Sequence, residues 1–158
     1  MTIKTGDRIP EVTLKIMGEK GPRDITTAEL FDGKKVVMFA VPGAFTPGCS
    51  NTHLPGFIVN ADKIKAKGVD SIVCVAVNDA FVMDAWGKSQ NAEELTMLAD
   101  GNGELTRKLG MELDGSGYGL GQRSKRYAMI VDNGVVKYFG LDTSGIEESS
   151  AEKVLSQL

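Results

Sequence analysis

Two short apolar runs constrain this chain more than any other feature: Lys35–Val41 (KVVMFAV) and Ser71–Val77 (SIVCVAV). Both are rich in β-branched residues, and neither alternates with polar ones. That pattern belongs to strands buried on both faces. Such strands need helices above and below them. The stretch between the runs supplies one, reading as a helix from about Pro47 to Lys67, kinked around Pro55-Gly56 and ending at Gly68.

The remaining elements follow from local signals. Val12–Met17 alternates weakly and reads as an early strand. Thr26-x-x-Glu29 has capping-box form and opens a short helix ending near Asp32-Gly33. Asn78-Asp79 caps a helix through about Ser89, Leu95–Ala99 reads as a third strand, and Glu104–Leu109 as a short helix closed by Gly110. Tyr127–Val131 and Val135–Phe139 flank Asp132-Asn133-Gly134, where Asn-Gly is a hairpin signal. A last helix runs from about Ile146 to Leu158. The glycine cluster Gly117–Gly121 lacks the strand-before, helix-after setting of a nucleotide fingerprint and reads as a loop. The order predicts one domain over residues 1–158. Its class is α/β with a thioredoxin-like layout: a mixed central sheet with helices on both faces.

Charge excludes some partners. The net charge is -3 with 25% charged residues, and both signs are mixed along the chain, so a nucleic-acid partner is not expected. No run approaches the ~18–20 apolar residues that span a bilayer. The opening MTIKTGDRIP lacks the apolar core of a secretory signal. A cytoplasmic protein is the expectation.

The chain has two cysteines, Cys49 and Cys74, and one histidine, His53. In a reducing compartment a cysteine serves either as a small buried apolar residue or for its reactivity. Cys49 follows a strand end, in the first turn of the expected helix, where unpaired N–H groups and the positive dipole end gather. Pro47 is tolerated in a first turn, and Gly48 lets the backbone approach a bound atom. Thr46 stands where a hydroxyl could reach the sulfur or a bound oxygen, and Pro42 where it would shield the site from water.

Ionisation alone does not make an enzyme of such a site. A free thiol of pKa ~8.5 is ~3% thiolate at pH 7, and lowering the pKa to ~6 gives ~90%, roughly a 30-fold gain. A Brønsted slope of ~0.4–0.5 takes back about tenfold of it in nucleophilicity. The site must also stabilise the leaving oxygen with donors that strengthen in the transition state. On placement alone, a redox role and a plain structural role for Cys49 weigh equally.

Pro42-x-x-x-Thr46-x-x-Cys49 has the form of the peroxiredoxin motif, and PGAFTPGCSNTHLPGF resembles the peroxiredoxin-5 or type II branch. The resemblance extends through GDRIPEV, VAVNDAFVMDAWGK, LADGNGELTRKLG and RSKRYAMIVDNGVV. It implies a thiol peroxidase that reduces hydrogen peroxide and alkyl hydroperoxides without metal or cofactor. Cys49 would attack the peroxide and become a sulfenic acid. Thr46 would hold peroxide and sulfur in line, and Pro42 would pack and shield. The family's arginine maps to Arg126, with Arg123 the lesser competitor. This chemistry requires that the sulfur reach solvent and that it not face away from both the Thr46 hydroxyl and the Arg126 guanidinium. The resemblance also implies a homodimer, to which Phe45 on the active-site loop could contribute. Trp86 and the other phenylalanines read as core or interface residues.

Cys74 lies inside SIVCVAV, and its plain reading is a small apolar residue in a buried strand. The sharper reading is a resolving cysteine, which would need local unfolding to reach Cys49. Residues Gly140–Leu158 hold no cysteine, so the C-terminal resolving cysteine of animal-type relatives is absent. An external thiol is expected to resolve Cys49, and the type II resemblance implies glutathione with glutaredoxin ahead of thioredoxin. His53, at i+4 from Cys49, reads as a structural histidine bonded to backbone. A Cys–His hydrolase pair and the start of a metal site are its alternatives. A peroxide sensor that passes oxidation to a partner protein would use the same Cys49.

Overall fold

The structure, a computed structural model, describes residues 2–158. Strands β1 (Thr13–Gly18), β2 (Gly21–Thr26), β3 (Lys35–Ala40), β4 (Ser71–Ala76), β5 (Thr96–Ala99), β8 (Arg126–Asp132) and β9 (Val135–Asp142) form one sheet in the order β2-β1-β5-β4-β3-β8-β9. β3 runs parallel to β4, and β4 to β5, while the remaining pairings are antiparallel. The sheet is therefore mixed, as the element order predicts.

Two cores form because β3 is apolar on both sides. Val37 and Phe39 face one layer and Val36, Met38 and Ala40 the other. The first layer holds α2 (Leu54–Val59), α3 (Ala61–Ala66), α4 (Ala80–Ser89) and α6 (Ala151–Gln157), packed through Phe57, Ile64, Trp86 and Val154. The second holds α1 (Thr27–Phe31) and α5 (Glu104–Leu109), packed through Phe31, Leu105 and Leu109. This is the thioredoxin-like α/β architecture, with helices on both faces.

Local chemistry places the ends. Thr26 and Glu29 close both halves of the capping box, and the Asp79 carboxylate caps α4 by accepting from the Val82 N–H at 2.8 Å. Asn133 and Gly134 both adopt positive φ, 49° and 79°, as a tight turn between twisted strands requires.

Four expectations need correction. β2 is a strand although GPRDIT has no apolar pattern, because it is a largely exposed edge paired only to β1. β6 (Glu112–Asp114) and β7 (Gln122–Ser124) form a small separate hairpin around the glycine cluster, in a stretch that reads as plain loop. The last helix is only α6, because residues 146–149 are held in a loop by Asp142. The long helix breaks at Asn60 rather than at Pro55-Gly56. Asn60 has φ -96° and ψ 5°, and its side-chain amide donates to the Gly56 carbonyl at 2.8 Å. Pro55 is accommodated because the turn before it is already widened. Cys49–His53 forms a π-turn in which the Leu54 N–H donates to the Cys49 carbonyl. An α-helical register would drive the Pro55 ring against the carbonyl of Asn51, and the inserted residue relieves that conflict. Among the described residues no helix is long and apolar enough to cross a membrane.

Candidate active site

The register of the sheet assembles the site. β3 ends at Ala40, and the chain passes through Val41–Thr46 into the turn that carries Cys49. β8 is antiparallel to β3, with Tyr127 opposite Ala40. Arg126, one residue before Tyr127, is thereby delivered to the end of β3 from which the Cys49 segment springs. The Ala44 N–H donates to the Asn78 side-chain oxygen at 2.9 Å, tying the loop to the head of α4. Phe45 adopts φ 65°, an uncommon conformation for a bulky residue. Its ring is 56% exposed and stands beside Trp86, at 6.5 Å between centroids.

Cys49 is fully buried, and the Arg126 guanidinium donates to its sulfur at 3.2 Å. Half of the sequence expectation is met here and half is not. The sulfur does face the guanidinium, which offers it a positive charge and a directed hydrogen bond. The sulfur does not reach solvent in this conformation. Nor does it meet the Thr46 hydroxyl, which donates its proton to the Gly43 carbonyl at 2.6 Å. With that proton committed, the Thr46 oxygen retains only acceptor capacity and is suited to receive a substrate O–H. Pro42 and Arg126 are half-buried and share a cavity of about 320 Å³ with Leu113, Lys125 and the Asp142–Gly145 stretch. Arg123 donates instead to the Leu120 carbonyl at 2.9 Å, and its guanidinium lies against Gly43, where a Cβ would be crowded. It is not on the sulfur.

His53 has both ring nitrogens engaged. Nε2 lies 2.9 Å from the Ser149 carbonyl and Nδ1 lies 2.7 Å from an Arg126 guanidinium nitrogen. A carbonyl only accepts and a guanidinium only donates, so the proton is on Nε2 and the Nδ1 lone pair takes the Arg126 proton. Burial, reinforced by the neighbouring guanidinium and opposed by the Ser149 carbonyl, lowers the His53 pKa to about 4. The ring is neutral at pH 7 and has no nitrogen free for Cys49. The Cys–His hydrolase arrangement is absent.

Cys74 lies in β4, fully buried, and makes no disulfide with Cys49. Burial, with Cys49 nearby, pushes its thiol well above the ordinary range. Two residues that sequence reading missed complete the surroundings. The Asp142 carboxylate accepts from the N–H groups of Glu147, Glu148 and Ser149 and from the Ser149 hydroxyl. Burial raises the Asp142 carboxyl, and those donors outweigh it, leaving it below its ordinary value. The only sequence signal was Asp142-Thr143-Ser144-Gly145, whose turn chemistry argues against starting a helix nearby.

The chain matches the Redoxin family over residues 4–155. It is 51% identical to a chloroplastic peroxiredoxin-2E-2 of Oryza sativa subsp. japonica, across 99% of this chain and 73% of that protein. It superposes on reduced Prx3 of Vibrio vulnificus in complex with H2O2 with a TM-score of 0.95 and 54% identity, covering 98% of each chain. It superposes on peroxiredoxin 5 of Alvinella pompejana with a TM-score of 0.87 and 38% identity, covering 98% of this chain and 97% of that one.

Proposed function

The chain belongs to the Redoxin family as a peroxiredoxin of the type II branch, a thiol-dependent peroxidase, and on that premise we propose that Cys49 is the sulfur that peroxide oxidises. The observation that carries this reading is the 3.2 Å hydrogen bond from Arg126 to the Cys49 sulfur. The Cys49 thiolate attacks the terminal oxygen of ROOH, the O–O bond breaks, and the S–OH bond forms. The departing RO⁻ takes a proton and leaves as alcohol, or as water when the substrate is hydrogen peroxide. Arg126 spreads its donors over the sulfur and the departing oxygen, Thr46 accepts the substrate O–H, and Pro42 keeps water from the site. The peroxide complex of the Vibrio vulnificus relative supports hydrogen peroxide as a substrate. Alkyl hydroperoxides share the reacting O–O bond.

Resolution falls to an external thiol. Cys74 is sealed in β4 as a protonated thiol, which makes it a poor nucleophile toward the sulfenic acid. A glutathione thiolate displaces hydroxide from Cys49–SOH, giving a mixed disulfide and, with one proton, water. Glutaredoxin with a second glutathione releases the thiol, and thioredoxin is the alternative reductant. Steady-state peroxide consumption with glutathione and glutaredoxin tests the scheme: it is lost in Cys49→Ser and largely kept in Cys74→Ser. Unchanged turnover in Cys49→Ser refutes it. Mixed disulfides with a specific protein, in place of a glutathione adduct, would instead favour the sensor role.

A further inference from the structure

Four hydrogen-bonded groups lead away from the sulfur into a loop that is remote from it in sequence. Arg126 donates to Cys49 with one guanidinium nitrogen at 3.2 Å and to His53 Nδ1 with the other at 2.7 Å. His53 Nε2–H donates to the Ser149 carbonyl at 2.9 Å. Ser149 is held in turn by Asp142, through its N–H at 2.9 Å and its hydroxyl at 2.6 Å. His53 is 1% exposed and Ser149 is 0% exposed, so no water competes for the middle of the chain. We propose that Asp142, Ser149 and His53 act as a positioning relay, fixing the Arg126 guanidinium on the reacting sulfur while leaving its charge uncancelled.

The second half of that statement rests on what the relay places next to Arg126. An arginine is most tightly held by a carboxylate, in a two-pronged pair. That carboxylate would neutralise the charge the sulfur and the departing oxygen need. Here the holder is a neutral imidazole. Among the described residues Arg126 is in no ion pair. The nearby carboxylate, Asp142, has its oxygens occupied by three backbone amides and a hydroxyl. Its negative charge orders the loop that presents the Ser149 carbonyl. That carbonyl fixes the His53 tautomer, and the tautomer presents a lone pair to Arg126. Orientation passes along the relay, and the acidic group stays one step removed from the guanidinium. His53 and Asp142 touch neither substrate nor sulfur and are positioning residues.

The inference rests on the reading of Cys49 and Arg126 above, and the experiment separates the two. The readout is the second-order rate constant for one round of Cys49 oxidation by hydrogen peroxide. His53→Asn places an oxygen acceptor where Nδ1 stands, whereas His53→Gln places its amide where Nε2 stands and leaves Arg126 without a partner. The expectation is a rate constant roughly tenfold lower than wild type for His53→Asn, which keeps an acceptor for Arg126 but loses the bond to Ser149, and roughly 100-fold lower for His53→Gln, the scale of a misplaced reacting group. Asp142→Ala, which frees the loop, is expected to slow the reaction by roughly tenfold. Equal rate constants for the Asn and Gln variants overturn the relay, and that pair decides the matter if Asp142→Ala does not fold. Arg126→Gln is measured in parallel. If it leaves the rate unchanged, the reading of the site itself fails. If it slows the reaction while the Asn and Gln variants match each other, only the relay fails.

Discussion

His53 is the chain's only histidine, so the pH dependence of folding between neutrality and pH 4 carries an isolated signature of its environment. Its folded pKa is about 4, against about 6.5 in an unfolded chain. Between those values the unfolded state binds more protons than the folded state, so stability falls as pH drops from about 6.5 toward 4. Below 4 the folded ring also protonates, loses its acceptor lone pair to the proton, and releases Arg126. Going from pH 7 to pH 5, the two proton-binding curves give a loss of roughly 2 kcal/mol, rising to about 3 kcal/mol near pH 4. No discount for solvent screening applies, because the ring is 1% exposed. Arg126 and Asp142 face the ring with opposite signs, the guanidinium opposing its protonation and the carboxylate favouring it. The assay is urea unfolding at pH 7 and pH 5, followed by fluorescence of Trp86, the single tryptophan and fully buried. The comparison is with His53→Asn. Asp100, held above its ordinary value mainly by burial, contributes a slope of opposite sign, but does so in both proteins and cancels. Wild type should lose roughly 2 kcal/mol more than the variant over that interval. Parallel behaviour within about 0.5 kcal/mol would show that burial does not depress the folded pKa, and would refute a ring held neutral down to pH 5.

Gly140→Ala should destabilise the protein by roughly 1–3 kcal/mol or more in urea unfolding, because a Cβ there collides with the Glu148 carbonyl and the Tyr138 hydroxyl, neither of which is free to withdraw. Thr46→Val should lower the rate constant for peroxide by roughly 100-fold, with Thr46→Ser restoring most of it; a Val variant at full rate would remove the hydroxyl from the chemistry. We propose that the exposed Phe45 seats against a second copy of the chain, so wild type should sediment as a dimer and Phe45→Glu as a monomer; the same species for both would exclude that face.

What the sequence made legible divides along a physical line. β3 and β4 could be read because a strand buried on both faces must be apolar throughout. The hairpin of β8 and β9 could be read because Asn133-Gly134 tolerates the positive φ its turn demands. β2, β6 and β7 escaped because exposed or marginal strands are held by backbone pairing, which any sequence can supply. The site splits in the same way. Pro42, Thr46 and Cys49 are close in sequence, and their types carry the chemistry. Arg126 lies 77 residues from Cys49, and only the family resemblance singled it out from Arg123. The bond from His53 to Ser149 spans 96 residues and ends on a carbonyl. A backbone acceptor has no residue-type signature, so the histidine's spacing gave its neighbourhood and not its task.

The burial of Cys49 changes what turnover requires. Any peroxide must displace the side chains that cover the sulfur, and the thiol of glutathione or of a protein, which attacks along the S–O axis with its own backbone behind it, must displace more. A sulfur without exposed surface cannot receive that attack where it stands. The turn bearing Cys49 must open before resolution, and the sequence has made that turn weak. Pro47 and Pro55 donate no hydrogen bonds, Cys49–His53 runs in the looser π register, and the helix is interrupted again at Asn60. Opening there breaks few bonds compared with disturbing β3 or β8, which sit inside the sheet. Opening at the Cys49 end of the turn also takes the sulfur away from Arg126. On the proposed reading of Cys49 and its external reductant, the same segment serves two needs: closed, it holds the sulfur against the guanidinium for peroxide; open, it hands the oxidised sulfur to a thiol too large to enter.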